Sequence, residues 1–144
     1  MELRRATQED TDAIAALFRA SFGSIGFLPT LHTPDEDRGY FHGVLAEQEV
    51  WVAEEGAELV GFAALSTEML EHLYVRPGRQ GAGVGSALLE LAKERRPQGF
   101  TLWVFQRNER ARLFYERHGC RLVRLTDGSA NEEREPDALY GWAP

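Results

Sequence analysis

Apolar residues recur along this chain at two periods, and the changes of period mark its elements. Residues 2–5 alternate as a short strand, and Thr7 followed three residues later by Asp10 predicts a helix start. Ile14, Leu17, Phe18 and Phe22 then fall at helical spacing until Gly23 stops the run. Turn formers fill residues 23–34, and Pro34 with Asp35 and Glu36 opens a second helix that ends near Ala46. Residues 50–54 and 59–65 read as a hairpin turned through Glu55 to Glu58, and residues 69–75 read as a third strand. Val84, Leu88, Leu89 and Leu91 return to helical spacing and stop before Pro97. A strand at 100–105, a helix at 108–118 ending on Gly119, and strands at 120–126 and 138–142 complete the chain. The hairpin run comes first and strand-helix-strand units second, which predicts a mixed α/β fold of about seven strands and four helices.

Composition narrows the function. A length of 144 residues predicts one domain over 1–144. Residues 1–72 hold 14 acids against 4 bases, net -10, whereas residues 73–144 hold 9 acids against 12 bases, net +3. The total of -7 argues against nucleic-acid binding, while the positive half suits a phosphate-bearing partner. Cys120 is the only cysteine, so a disulfide within the chain is excluded and a reducing, cytoplasmic setting is expected. The start of the chain is charged and no apolar stretch is long enough to span a bilayer, so neither a signal peptide nor a membrane partner is expected. His32, His42, His72 and His118 show no metal-ligand spacing, and no metal is expected.

The chemistry concentrates at Gln80-Gly81-Ala82-Gly83-Val84-Gly85-Ser86, between a strand and a helix. Glycines let consecutive N–H groups turn toward one point, and the helix start adds about half a positive charge, so a phosphate or pyrophosphate is the natural guest. Gly78 and Gly83 are followed by Val84 rather than Lys, which fails the Walker pattern, and Ser86 stands where a dinucleotide loop has glycine or alanine.

The segment instead resembles the pyrophosphate loop of the GNAT superfamily, Gln/Arg-x-x-Gly-x-Gly/Ala, here Gln80-x-x-Gly83-x-Gly85. Leu73-Tyr74-Val75-x-Pro77 before it is similar to the family's strand ending. Asn108-x-x-Ala111-x-x-Phe114-Tyr115-x-x-x-Gly119 after it is similar to the family's second signature, with Cys120 in place of the final aromatic.

This resemblance implies an N-acetyltransferase fold whose fourth and fifth strands splay around the pantetheine arm of acetyl-CoA. Backbone N–H groups of Gly81, Ala82, Gly83, Val84, Gly85 and Ser86 would bind pyrophosphate beside Gln80, the Val75 backbone would pair with the pantetheine amides, and a backbone N–H near Leu73 or Tyr74 would hold the oxyanion. Asn108 and Ala111 would hold the arm, and Arg79, with Arg76 or Arg112, would meet the 3′-phosphate. Tyr115 matches the family's tyrosine that protonates the departing thiolate. A primary amine must lose a proton before it attacks, and the family often places a Glu or His base on the strand before the loop. Glu71 is the first candidate, on the face of Leu73 and Val75 by strand alternation; His72 is the second, on the opposite face unless a bulge reverses the parity.

The acceptor is expected to be a small-molecule or peptide amine. Phe27, His32 and Tyr40 are expected to wall its site, and the acidic connection around Glu133 to draw a cationic amine or polyamine. Trp51, Trp103 and Trp142 read as core or dimer-contact aromatics, so a homodimer stays open. A non-catalytic acyl-CoA sensor and a transferase of longer acyl groups are the alternatives on the same fold.

Overall fold

Strand β3 (Glu58–Leu65) organises the computed structural model, which describes residues 1–144. All of its residues after Glu58 are buried, because both faces of its sheet are covered, and this explains its unbroken apolar run. β1 (Glu2–Arg5), β2 (Glu49–Glu55), β3 and β4 (Leu70–Val75) form one antiparallel sheet in sequence order. β5 (Phe100–Phe105), β7 (Asp137–Trp142) and β6 (Arg121–Leu125) form a second antiparallel sheet in that spatial order.

The two sheets touch through β4 and β5 at one end only. Met69 and Thr101 form a parallel bridge, and Thr101 N–H donates to the Glu68 carbonyl at 3.0 Å. Beyond that point the strands diverge, so the expected splay is present.

Four helices cover the sheets. α1 (Thr11–Gly23) and α2 (Pro34–Glu47) pack on one face through Ile14, Leu17, Phe41 and Val44 against Val50, Val52 and Phe62. α3 (Val84–Arg95) and α4 (Glu109–Arg117) cover the other through Val84, Leu88, Leu89 and Tyr115 against Val60, Leu102 and Tyr140. Each large apolar side chain buried this way contributes about 1.5–3 kcal/mol, so these two clusters hold the layers together. The start of α2 follows from a capping box: Glu36 N–H donates to Thr33 Oγ1 at 3.2 Å and Thr33 N–H donates to Glu36 Oε1 at 2.8 Å. No helix is long and apolar enough to cross a membrane.

α3 lies unusually close to β3. A Cβ on Gly61 would sit 2.8 Å from Val84 Cγ1 and 3.1 Å from the Tyr74 carbonyl, so a side chain there would push the start of α3 off the sheet.

Candidate active site

The glycine-rich segment turns sharply between β4 and α3. Gly81 and Gly83 have φ of 85° and 89°, the left-handed region that a β-carbon disfavours. The first helical bond of α3 runs from Ala87 N–H to the Gly83 carbonyl at 3.0 Å, which leaves the amides of Val84, Gly85 and Ser86 without an acceptor in the chain. Ala82 is the exception in the expected cradle, since its N–H donates to the Arg79 carbonyl at 3.4 Å.

Gly81, Gly83, Gly85 and Ser86 line a cavity of about 720 Å³ between the splayed strands, together with Leu73, Val75, Gln80, Asn108, Ala111 and Tyr115. Val84, expected in the cradle, does not line the cavity, its side chain being buried in the core. Asn108 Oδ1 accepts the Ala111 N–H at 3.2 Å, capping α4 and fixing its first turn at the cavity wall. Close approach of α4 to the loop depends on Gly85, whose Cβ would meet Phe114 Cζ at 3.3 Å. Tyr115 is 8% exposed, and burial pushes its phenol pKa well above the ordinary range, so the hydroxyl keeps its proton at neutral pH.

The arginines are distributed differently from the sequence expectation. Arg79 points back to Glu55 at 2.9 Å, and Arg76 donates twice to the Leu59 carbonyl at 2.9 and 2.8 Å. Arg112 donates to the Tyr140 hydroxyl at 3.0 Å on the side of α4 away from the cavity. None of the three lines the cavity. Arg110 and Arg107 do, with Arg110 Nη1 donating to Gln80 Oε1 at 3.2 Å. The signal that could have found them is position: they flank Asn108, the cap that helical geometry aims at the loop.

The free edge of β4 follows from its register. Arg76 N–H donates to the Val60 carbonyl at 2.8 Å, which makes Phe62–Tyr74 and Ala64–His72 the hydrogen-bonded pairs with β3. The N–H groups of Leu73 and Val75 therefore point into the splay. The Val75 carbonyl accepts from Ser21 Oγ at 3.1 Å, a brace from α1 that the sequence did not announce.

A bulge alters the expected alternation. Pairing steps from Leu65–Leu70 to Ala64–His72, leaving Glu71 without a partner. Glu71 therefore does not share the face of Leu73 and Val75. It lines a second cavity, of about 810 Å³, together with His72 and Tyr74. The bulge thus overturns the expected face of Glu71 and leaves His72 opposite Leu73 and Val75 as expected, and it brings both base candidates to one cavity.

The second cavity has aromatic walls from Phe18, Phe22, Tyr40, Trp103 and Phe105, and carboxylates at Glu36, Asp37, Glu71, Glu132 and Glu133. Arg19 is spent on Asp37 at 3.0 Å, and His32 Nε2 lies 2.6 Å from Glu132 Oε1. His72 Nε2 is bonded to the Tyr40 hydroxyl at 2.8 Å, and burial pushes its pKa down to about 4, so it is neutral at physiological pH. Burial, with the charges of Glu71 and Glu132, raises the Tyr40 phenol. His32, Tyr40 and Glu133 lie in this cavity as expected, but Phe27 lines the first one, where its ring meets the edge of Phe105 at 6.4 Å. Tyr74 lines both.

Comparison with known proteins agrees with this geometry. The family described as Acetyltransferase (GNAT) domain matches residues 46–120. An Archaeoglobus fulgidus protein named as an uncharacterized N-acetyltransferase is 34% identical over 133 residues, covering 80% of this chain and 89% of its own. Peptidyl-lysine N-acetyltransferase YjaB of Escherichia coli is 28% identical over 124 residues, covering 85% of this chain and 84% of that one. The solution structure of apo YjaB has a TM-score of 0.78 at 26% identity, over 98% of this chain and 96% of that chain. The structure of yncA from Salmonella typhimurium with acetyl-CoA shares the fold, with a TM-score of 0.78 at 17% identity over 99% of this chain and 93% of that one. The family match covers more than half the chain and the archaeal relative four fifths of it, and the chain belongs to the GNAT family of acetyltransferases.

Proposed function

We propose that residues 1–144 work as one N-acetyltransferase domain that moves an acetyl group from acetyl-CoA to a primary amine, by direct transfer with both substrates held together. The observation that carries this reading is the meeting of two cavities at β4, the edge strand of its sheet. Leu73, Val75 and Tyr115 line the first, Glu71 and His72 the second, and Tyr74 both.

The first cavity suits coenzyme A. Free amides of Gly85 and Ser86 suit a diphosphate, with Arg110 beside them, and the inward N–H groups of Leu73 and Val75 suit an amide-bearing arm. When bound, acetyl-CoA supplies the activated acetyl group as a thioester. Tyr115 holds a proton at its hydroxyl for a leaving sulfur, and the Leu73 N–H is placed to stabilise developing carbonyl charge.

The second cavity suits a cationic amine. Glu71 forms no ion pair, which leaves its carboxylate available to take a proton from an ammonium, while His72 is committed to Tyr40. Aromatic walls with carboxylates among them favour positive charge, whether on a small molecule or on a peptide lysine of the kind named for YjaB. Buried Cys120, whose thiol is pushed up by burial, supports direct transfer over a cysteine relay and fits a cytoplasmic setting.

The test is release of free thiol from acetyl-CoA with a panel of alkylamines, diamines and lysine peptides. Tyr115→Phe is expected to lower kcat by roughly one or more orders of magnitude with cofactor affinity nearly intact. Glu71→Gln is expected to flatten the pH dependence of kcat/KM. Absence of thiol release with every amine would return the protein to an acyl-CoA binding module.

A further inference from the structure

Arg107 stands at the junction of β5 and α4, lines the first cavity, and is absent from the second. Its contacts nevertheless reach both loops that build the second. Nε and Nη2 donate to Glu135 Oε2 and Oε1, each at 2.8 Å, a two-pronged clamp on the β6–β7 connection. Its guanidinium carbon lies 4.3 Å from the ring centroid of Phe27, in the α1–α2 loop.

Those two loops carry acceptor-side groups. Glu132 and Glu133 come from one and His32 from the other, and the His32–Glu132 contact of 2.6 Å is where they meet again. The β6–β7 connection is internally braced around the clamped residue. Asn131 Nδ2 donates to the Glu135 carbonyl at 2.7 Å, and Glu135 N–H donates to Asn131 Oδ1 at 3.2 Å. A Cβ on Gly128 would lie 2.4 Å from the Glu135 carbonyl carbon, so the loop closes tightly on itself. Arg134, between Glu133 and Glu135, has φ of 54°, the only non-glycine in the left-handed region. A loop this constrained moves as a unit, and Arg107 is the arginine that ties it to the end of β5.

From this geometry we infer that Arg107 is a positioning residue for the amine acceptor: it sets the second cavity's walls by clamping Glu135 and covering Phe27, without touching the acceptor. The inference rests on the reading of the second cavity as the amine site.

The experiment compares wild type with Arg107→Ala, Arg107→Lys, Glu135→Gln and the Arg107→Ala/Glu135→Gln pair, using an amine that wild type acetylates. Arg107→Ala is expected to raise the acceptor KM about tenfold while kcat and the acetyl-CoA KM stay within about twofold. The pair is expected to be no worse than Arg107→Ala alone, since both changes open one clamp. Arg107→Lys, which keeps the charge and loses the fork, is expected to resemble Arg107→Ala. An unchanged acceptor KM overturns the inference, and so does full rescue by lysine, which would make the effect one of charge alone. A rise confined to the acetyl-CoA KM also overturns it, by making Arg107 a cofactor ligand. Hydrogen exchange on the free proteins supplies a readout independent of turnover. Faster exchange in residues 24–33 and 127–136 of Arg107→Ala supports the clamp, and unaltered exchange there overturns it. If wild type acetylates no amine, the functional reading falls alone and the exchange result still decides the clamp.

Discussion

The imidazole of His72 packs against the rings of Phe41, Phe62 and Tyr74 at 5.4, 6.4 and 6.1 Å, and burial pushes its pKa down to about 4. In the unfolded chain it returns to the ordinary value of about 6.5, so between these pH values the unfolded state binds more protons. Stability is therefore expected to fall as pH drops from about 6.5 through about 4, with no contribution from this residue above that window. Urea midpoints at pH 7.5 and 5.0 check it: His72→Gln should lose less stability between the two than wild type does, and equal losses would remove His72 as the cause. At this scale the sequence was informative about residue type and less so about direction. Tyr115 and Asn108 occupy the cavity their motif implied, whereas Arg79 and Arg112 are turned away by Glu55 and Tyr140, partners remote in sequence. Arg107 and Arg110, which line the cavity, flank Asn108 but fill no fixed position of either motif, so only their place beside that cap could single them out.

Among the elements, the periodicity placed the helices and strands within one or two residues except at the start of α1, where a 3-10 turn over Gln8–Asp10 takes the place of the first helical turn after Thr7. Most of them bury a continuous face or stripe, although β6 is exposed along its whole length. Register is harder to read. The bulge that leaves Glu71 unpaired arises from how β3 and β4 align, and no residue in Glu68 to His72 marks it, so simple alternation put Glu71 on the wrong face. Close packing is equally silent in sequence. Gly61 lies mid-strand with an ordinary extended backbone, and only the approach of α3 explains it. Gly61→Ala is expected to destabilise the fold by about 1–3 kcal/mol through overpacking against Val84, read as a lower urea midpoint at unchanged m-value. The same change at Gly39, where a Cβ would meet nothing within 4 Å, is the control and should be neutral or stabilising.

On the scale of the whole molecule, the charge split is visible in composition but acquires meaning only from the topology. The second cavity draws carboxylates from both halves of the chain: Glu36, Asp37 and Glu71 from the first, Glu132 and Glu133 from the second. Summed fields of this kind steer cations and are screened by salt. kcat/KM for a cationic amine is expected to fall as salt rises from roughly 50 to 500 mM, and a flat response would remove steering from the account. The splay itself could be anticipated only through the family resemblance, since divergence of two strands leaves no periodic trace in either. Its consequence reaches past catalysis. A strand edge with unused hydrogen-bonding groups is ordinarily where a second chain attaches, and proteins guard such edges with charges, kinks or cover. Here the free edges of β4 and β5 are joined at one end by the Met69–Thr101 bridge and open onto the first cavity, so this backbone lines a cleft where a slender ligand can use it instead of standing on the outer rim of a sheet.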